Sequence, residues 1–361
     1  MAKESPLAEI HRSNRAAFAE ENGWLLPSRF GDPIEEYRSV RSHVGLLDLC
    51  HRGILRFTGP DRVSFLQGMV SNDVKKLSDG EGMAAAFLNV QGKILADSRI
   101  LCMADSLLVD LWEFLKDKIV AHLDRYLIAD EVEIADLSSE LGVLSLQGPM
   151  SGPLLKELLE EAEIPAAEHS HRKVSIQGAE VRVIRSSHTG EEGYDLMTKK
   201  QDLSSMLPRV QKLGEKFGAR WIGSQALEIL RVEAGIPRYG SDMTEDNLLL
   251  ETGLEQAVSF QKGCYLGQEV VERIRSRGHV NRRLAGIVLD GDSCPAANDP
   301  VHLDHKEIGK ITSSVFSPFL NHPIALGYVH RDYLKPEIPV SIHHNTKILT
   351  ARIASLPFYK R

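Results

Sequence analysis

The stretch Leu55–Gly68, LRFTGPDRVSFLQG, reads as a strand, a turn and the start of a helix. Ile54, Leu55 and Phe57 suit a short strand. Thr58-Gly59-Pro60-Asp61 punctuates it as a turn. Asp61 is an expected N-cap for a helix carrying Val63, Phe65, Leu66 and Met69. The same order returns at 141–162, LGVLSLQGPMSGPLLKELLEEA, as strand, Gly-Pro turn and helix. Two matches of this kind point to duplicated α+β units.

Working outward, MAAAFLNVQGKILADSRILCM (83–103) reads as a hairpin. Its tip is Val90–Lys93, where Gly92 can take a positive φ. SLLVDLW (106–112) is a further strand. FLKDKIVAHLDRYLI (114–128) is an amphipathic helix with Leu115, Ile119, Leu123 and Leu127 on one side. Upstream, IEEYRSVRSHVGLLDL (34–49) places Ile34, Tyr37, Val40 and Val44 at helical spacing, with Gly45 expected to end the helix. IGSQALEILRVEAGIP (222–237) is a helix with Ser224 as N-cap, Gly235 beyond its end and Pro237 as the stop. After Arg283, short apolar runs alternate with Gly, Pro and Asn, the texture of a small all-β domain, barrel-like or sandwich-like. A doubly wound parallel sheet, a GxGxxG and a P-loop are all missing from the pattern.

With 361 residues and 42% hydrophobic content the chain can bury a sizeable core, and 26% charged residues is a globular value. A net charge of −7 argues against a general nucleic-acid binder. No apolar run is long enough to span a bilayer, and the first residues lack the apolar core of a signal peptide. The four cysteines, Cys50, Cys102, Cys264 and Cys294, form no CxxC pair. A reducing cytoplasm and a monomer are the expectations. Histidines gather toward the end, in HLDH and HH, and no familiar metal-ligand spacing completes them.

One short motif stands apart. QKGCYLGQEV (261–270) sets Cys264 between Gly263 and Gly267, with Lys262 ahead of it. As plain architecture it is a tight loop leading into the helix EVVERIRSR, where Glu269 suits the positive end and Gly278 closes it. As chemistry, a cysteine near a helix N-terminus beside a lysine is a candidate reactive thiolate. A complete metal site is not expected here, since no second cysteine or histidine lies at ligand spacing.

The motif Lys262-Gly263-Cys264-Tyr265, then Gly267-Gln268-Glu269, resembles the signature of the YgfZ family, the folate-binding relatives of the glycine cleavage T-protein. The basic continuation RIRSRGHVNRRL resembles that family too. The wider T-protein superfamily is recognisable in GLLDLCHRGILRFTGPDRVSFLQGMVSNDV, FLNVQGKILAD, LQGP, HTGEEGYDL and LRVEAGIPRYGSDMTEDNLLLETGL. The resemblance implies an α+β, T-protein-like three-part fold with a central folate channel and a small C-terminal β-barrel domain. Divided on this pattern, residues 1–50 with 137–220 form the first α+β unit, 51–136 with 221–282 the second, and 283–361 the barrel-like domain.

Roles follow only by resemblance. T-proteins carry Asn, two residues, Gly-Gly, two residues and Asp-Asp in the hairpin. Here Asn89 and Gly92 match, Lys93 replaces the second glycine, Ala96 stands at the first aspartate and Asp97 at the second. The first aspartate is the one associated with catalysis, so ordinary aminomethyl transfer is in question. HTGEEGYD places Asp195 against the pterin, whose amino group and ring N–H suit a carboxylate. LRVEAG places Arg231 in a folate-contacting position; its plain alternative is a pair with Glu228 on the helix.

Cys264 and Lys262 are therefore the candidate catalytic residues, and Asn89, Asp97, Asp195 and Arg231 the candidate binders of tetrahydrofolate or a derivative. Gly263, Tyr265, Gly267, Gln268 and Glu269 complete the motif. The leading expectation is an accessory protein for iron–sulfur cluster assembly or repair, with effects on tRNA modification, whose partners are folate and iron–sulfur client or assembly proteins. Its alternatives are a folate-dependent aminomethyltransferase or demethylase, and an interaction protein that has lost its ligand.

Overall fold

The computed structural model describes residues 2–160 and 163–360, with Arg277 described by its backbone alone. Glu161 and Ala162, at the end of the second strand–turn–helix pattern, lie outside the described residues. The chain forms two compact units. One comprises Met1–Phe87, Ala96–Leu227 and Gln256–Leu266; the other Leu88–Leu95, Glu228–Glu255 and Gly267–Arg361.

The first unit is built on two larger sheets and a small three-stranded one. The six-stranded sheet runs His171–Ile176, Ala179–Arg185, Gly193–Lys199, Leu141–Gln147, Val44–Asp48 and Ala219–Trp221 in spatial order. Its neighbours are antiparallel except for the last pair, Val44–Asp48 with Ala219–Trp221. The five-stranded sheet runs Gly82–Leu88, Ile94–Cys102, Leu107–Trp112, Arg52–Thr58 and Glu133–Asp136. The sequence echo is visible in both: strand Arg52–Thr58 leads to helix Arg62–Met69, and strand Leu141–Gln147 to helix Ser151–Leu158. The turn glycines explain why the punctuation recurs. Gly59 and Gly148 have φ of +97° and +127°, and a Cβ there would lie 2.0 Å from Glu131 O and 2.3 Å from His43 O.

Two local expectations are corrected. Helix Pro33–Ser42, capped by Asp32 on Ile34 N at 3.0 Å, ends before Gly45, which lies inside the buried strand Val44–Asp48. Gly45 is required by packing: a Cβ would sit 2.5 Å from Val40 Cγ2. Asp61 makes no cap bond to its helix; its carboxylate accepts from Glu131 N at 2.9 Å. The hairpin forms as expected, with Gly92 at φ +71°. Helix Glu113–Leu123 buries Leu115, Ile119 and Leu123.

The second unit contains a closed six-stranded barrel, in the order Arg282–Leu289, His322–His330, Lys306–Ser317, Pro300–Leu303, Pro339–His344 and Lys347–Ala354. Alternation in the first of these strands sends Ala285, Ile287 and Leu289 into the barrel core with Val301, Ile311, Val329, Ile342 and Ile353. Leu284 and Val288 point the other way, into a cluster with Ile324, Leu326 and Val232. Closure removes the sheet's edges, the usual way an antiparallel barrel avoids unpaired backbone. No described helix is long and apolar enough to cross a membrane.

Candidate functional site

Strand Ile94–Cys102 carries two charged side chains, Asp97 and Arg99. Side chains alternate along a strand, so Asp97 and Arg99 share one face while Ala96 and Ser98 share the other. Arg99 Nη1 donates to Asp195 Oδ2 at 2.8 Å, and Nη2 donates to Asp110 Oδ2. Asp110 Oδ1 accepts from Arg52 Nε at 2.7 Å. Asp195 receives His188 Nε2 at 3.0 and 3.1 Å on its two oxygens. The result is an alternating row, Arg52–Asp110–Arg99–Asp195–His188. It joins three strands of the five-stranded sheet to strand Gly193–Lys199 of the six-stranded one.

The row is buried in its middle. Asp195 is fully buried and Asp110 nearly so, while the His188 side chain keeps 30% of its exposure. Burial alone would raise the Asp195 carboxyl; the charges of His188 and Arg99, with their hydrogen bonds, outweigh it and hold the group well below the ordinary carboxylate range. Asp110 is treated alike, burial against Arg52 and Arg99, with the same net lowering. Burial disfavours the charged Arg99, yet Asp110 and Asp195 keep it ionised more firmly than a free arginine.

Asp97 has the opposite environment. Its Oδ1 is buried and has no hydrogen-bond partner. Burial raises its carboxyl, against partial relief from Arg52. Two carboxylates on one buried cluster are thus pushed in opposite directions, the pattern that separates a proton-holding acid from a permanent anion.

The remaining candidates are placed as follows. Lys262 is buried, and all three ammonium N–H groups are engaged, on Gln67 O and Val70 O at 2.6 Å and Asn72 O at 2.8 Å. Its Nζ also sits 4.7 Å from the centroid of the Tyr265 ring. Burial pushes its amine down to about 8. Gly263 and Cys264 are exposed and Tyr265 is buried. In the second unit, Gly267 takes φ +84° ahead of helix Gln268–Arg277, and a Cβ there would meet Asn89 O at 2.6 Å. Glu269 lies exposed in that helix's first turn. Asn89 Oδ1 accepts from Gln91 N at 2.9 Å and Lys93 N at 3.0 Å, shaping the hairpin tip.

Arg231 has all five N–H donors engaged. They reach both Glu228 oxygens, Ile236 O at 3.0 Å, Asp242 at 2.6 Å and Ser313 Oγ at 2.7 Å. It ties its helix to the barrel strand Lys306–Ser317. The late histidines pair locally: His302 stacks on His343 at 4.0 Å, and His344 Nδ1 meets Asp299 at 2.6 Å. Among the described residues no three His, Cys, Asp or Glu side chains are grouped as metal ligands.

Of the sequence candidates, Asp97 and Asp195 are drawn into one charged cluster. Lys262 and Cys264 share a separate loop of the same unit. Asn89 and Arg231 belong to the other unit. Sequence reasoning missed Arg52, Arg99, Asp110 and His188. Strand alternation from Asp97 was the available signal for Arg99.

The GCVT N-terminal domain model matches residues 7–262, and the glycine cleavage T-protein C-terminal barrel domain matches 282–360. The chain belongs to the glycine cleavage T-protein family. It is 29% identical to an aminomethyltransferase of Halalkalibacterium halodurans, covering 99% of this chain and 98% of that one. It is 30% identical to an aminomethyltransferase of Caldanaerobacter subterraneus subsp. tengcongensis, covering 99% and 96%. The crystal structure of glycine cleavage system aminomethyltransferase T from Bartonella henselae superposes with a TM-score of 0.91 over 100% of this chain and 99% of that one, at 24% identity. The fold is accordingly T-protein-like, mixed α/β in its N-terminal part with a closed six-stranded barrel at the C-terminal end.

Proposed function

We propose that this T-protein relative is a tetrahydrofolate-dependent one-carbon transferase, moving an aminomethyl carbon from an S-aminomethyl thiol. The carrying observation is Asp97: a buried carboxyl with an unpartnered oxygen, raised by burial, on a strand face shared with Arg99. A carboxyl raised above its ordinary value holds a proton more readily than a free one and is a candidate to deliver it. Full-length relatives named aminomethyltransferase support the same class.

The donor set fits a pterin. Asp97 Oδ1 is a buried acceptor without a donor, and Asp195 is a firmly ionised carboxylate. Asp97 Oδ1 would accept from the ring's amino or N–H group, and Asp195 would act through His188, which it holds. Tetrahydrofolate, when bound, supplies the secondary amine that accepts the carbon. Arg99 and Arg52 keep Asp195 and Asp110 charged, while Asp97, without such a bond and raised by burial, is the candidate acid for the departing group.

The test is calorimetric titration with 5-formyltetrahydrofolate, followed by assay for 5,10-methylenetetrahydrofolate from an S-aminomethyl thiol. Saturable binding with product formation, lost in Asp97→Asn, supports the reading. Binding without product removes it. Absence of binding leaves the interaction-protein alternative.

A second reading rests on a different observation, the exposed Cys264 in its KGCYLGQE loop. On that reading the protein is a YgfZ-type accessory, cytoplasmic and monomeric, using a free thiol in iron–sulfur enzyme maintenance, with tRNA-modifying enzymes among its clients. Complementation of a deletion strain decides it. Full rescue of iron–sulfur enzyme activity by Cys264→Ser would sink the thiol role.

A further inference from the structure

We infer that His188 is a catalytic proton acceptor, held in a single tautomer by Asp195. The inference rests on the transferase reading and names its base.

The loop that carries His188 is fixed from both sides. The His188 backbone N–H donates to Gln147 Oε1 at 2.9 Å, and Thr189 Oγ1 donates to the same oxygen at 3.2 Å. Gln147 is fully buried and is itself held, donating to Ser145 Oγ and Ser186 O, both at 2.9 Å. Arg41 Nη1 donates to Thr189 O at 3.2 Å and pairs with Glu191 at 2.9 Å. The imidazole is therefore placed by its backbone before its ring makes any contact.

The ring's partner sets its proton. Asp195 is ionised, and a carboxylate only accepts, so the hydrogen between it and His188 belongs to Nε2. In the neutral ring, the form that can accept a proton, Nδ1 is then the lone-pair nitrogen, and it makes no hydrogen bond to any described residue. The side chain is 30% exposed, against 0% for Asp195, 2% for Asp110 and 8% for Arg99. Of the row's members that can take a proton, His188 is the one a ligand can reach. The groups acting on it are Asp195, Arg99, His51, His169 and Glu168. His51 and His169 are both pushed down to about 4 by burial and are weak bases at neutral pH.

The chemistry balances. Transfer from an S-aminomethyl thiol to the 5,10-methylene product forms two C–N bonds and breaks the carbon's bonds to sulfur and to its amino group, with the electron pairs going to those groups; the two acceptor nitrogens each shed a proton, and the departing thiol and ammonia each take one up. The first C–N bond formation releases one acceptor N–H proton. That proton goes to His188 Nδ1, while Nε2–H stays on Asp195, whose charge stabilises the imidazolium. Asp97 delivers a proton to the leaving group. Base and acid are thus distinct residues of one unit.

The experiment uses the full-length protein with three readouts. Side-chain ¹⁵N spectra of neutral His188 should show Nε2 protonated and Nδ1 bare. His188→Gln should bind 5-formyltetrahydrofolate within threefold of the parent while turnover of an S-aminomethyl thiol falls about 10²–10⁴-fold. Added imidazole should restore part of the turnover of His188→Gly. An Nδ1–H tautomer overturns the inference, as does His188→Gln turnover within threefold of the parent. Loss of folate binding together with turnover in His188→Gln also overturns it, by showing a structural role. A parent that makes no product refutes the transferase reading and this inference with it. An active parent beside an equally active His188→Gln refutes the inference alone.

Discussion

Replacing Lys262 with methionine separates two accounts of the KGCYLGQE loop. In the structure the ammonium clamps the loop to three carbonyls, Gln67 O, Val70 O and Asn72 O, at 2.6–2.8 Å. A hydrogen bond to a charged group contributes about 1.5–3 kcal/mol net, so three give an upper sum of roughly 5–9 kcal/mol. Burying the charge offsets part of that, which is why the amine falls to about 8. Methionine keeps much of the stem's apolar packing but leaves three carbonyls without their donor. The expected loss is about 2–4 kcal/mol, read as a lower urea midpoint at unchanged slope. The pH sign follows from the lowered pKa. Between about 8 and the unfolded lysine value near ~10.4, the unfolded chain holds a proton that the folded chain has released. Parent stability therefore gains from this group as pH rises through that window, and Lys262→Met lacks the gain. Urea unfolding of both proteins at pH 7 and pH 9.5 measures it. A loss under about 1 kcal/mol at pH 7, or a parent–variant gap that narrows at pH 9.5, refutes the clamp. If Lys262 instead activates Cys264, stability should hold and alkylation of the thiol should slow.

Asp97→Asn should raise the melting temperature at neutral pH while abolishing transfer, because a buried carboxyl raised by its surroundings costs stability when ionised and an amide does not. Asp195→Asn should cost about 3–5 kcal/mol, since Arg99 loses one of its two buried carboxylates. The carboxyls of Asp195 and Asp110 are lowered on folding, so their contribution is complete above the ordinary carboxylate range and lost as pH falls below about 4. The parent should accordingly lose stability more steeply in acid than Asp195→Asn. Arg231→Met should destabilise by about 3–5 kcal/mol, as buried Asp242 loses its cation, seen as an earlier thermal transition. Cys264→Ser, at an exposed site, should leave the urea midpoint within about 0.5 kcal/mol of the parent.

The parts of the fold legible in the sequence are those that short-range rules determine. The hairpin at Asn89–Lys93 was readable because a side-chain cap and a positive-φ glycine occupy neighbouring positions. The strand–turn–helix echo was readable because Gly59 and Gly148 both meet a carbonyl where a Cβ would go. Long-range packing was not readable. Gly45 looked like a helix stop, yet it is glycine because Val40 crowds the strand. Asp61 looked like a cap, yet its carboxylate serves Glu131, seventy residues away. The rest of the charged row around Asp195 was hidden for the same reason: Arg52, Arg99, Asp110 and His188 come from separate strands and a loop, and any one of them alone reads as a surface charge.

The T-protein hairpin motif, aligned residue for residue, puts alanine at the position associated with catalysis and leaves aspartate at the next. On a strand a one-residue step moves a side chain to the opposite face. Ala96 is fully buried, whereas Asp97 shares its face with Arg99 and carries the one carboxyl of this cluster without a hydrogen-bonded cation. A carboxylate at position 96 would have to find its donors on the other side of the sheet. The alanine therefore does not empty the cluster of acid–base capacity; it leaves that capacity to Asp97 on one side of Arg99 and to the Asp195–His188 pair on the other. On the transferase reading, the carbon donor would present its leaving group to that face.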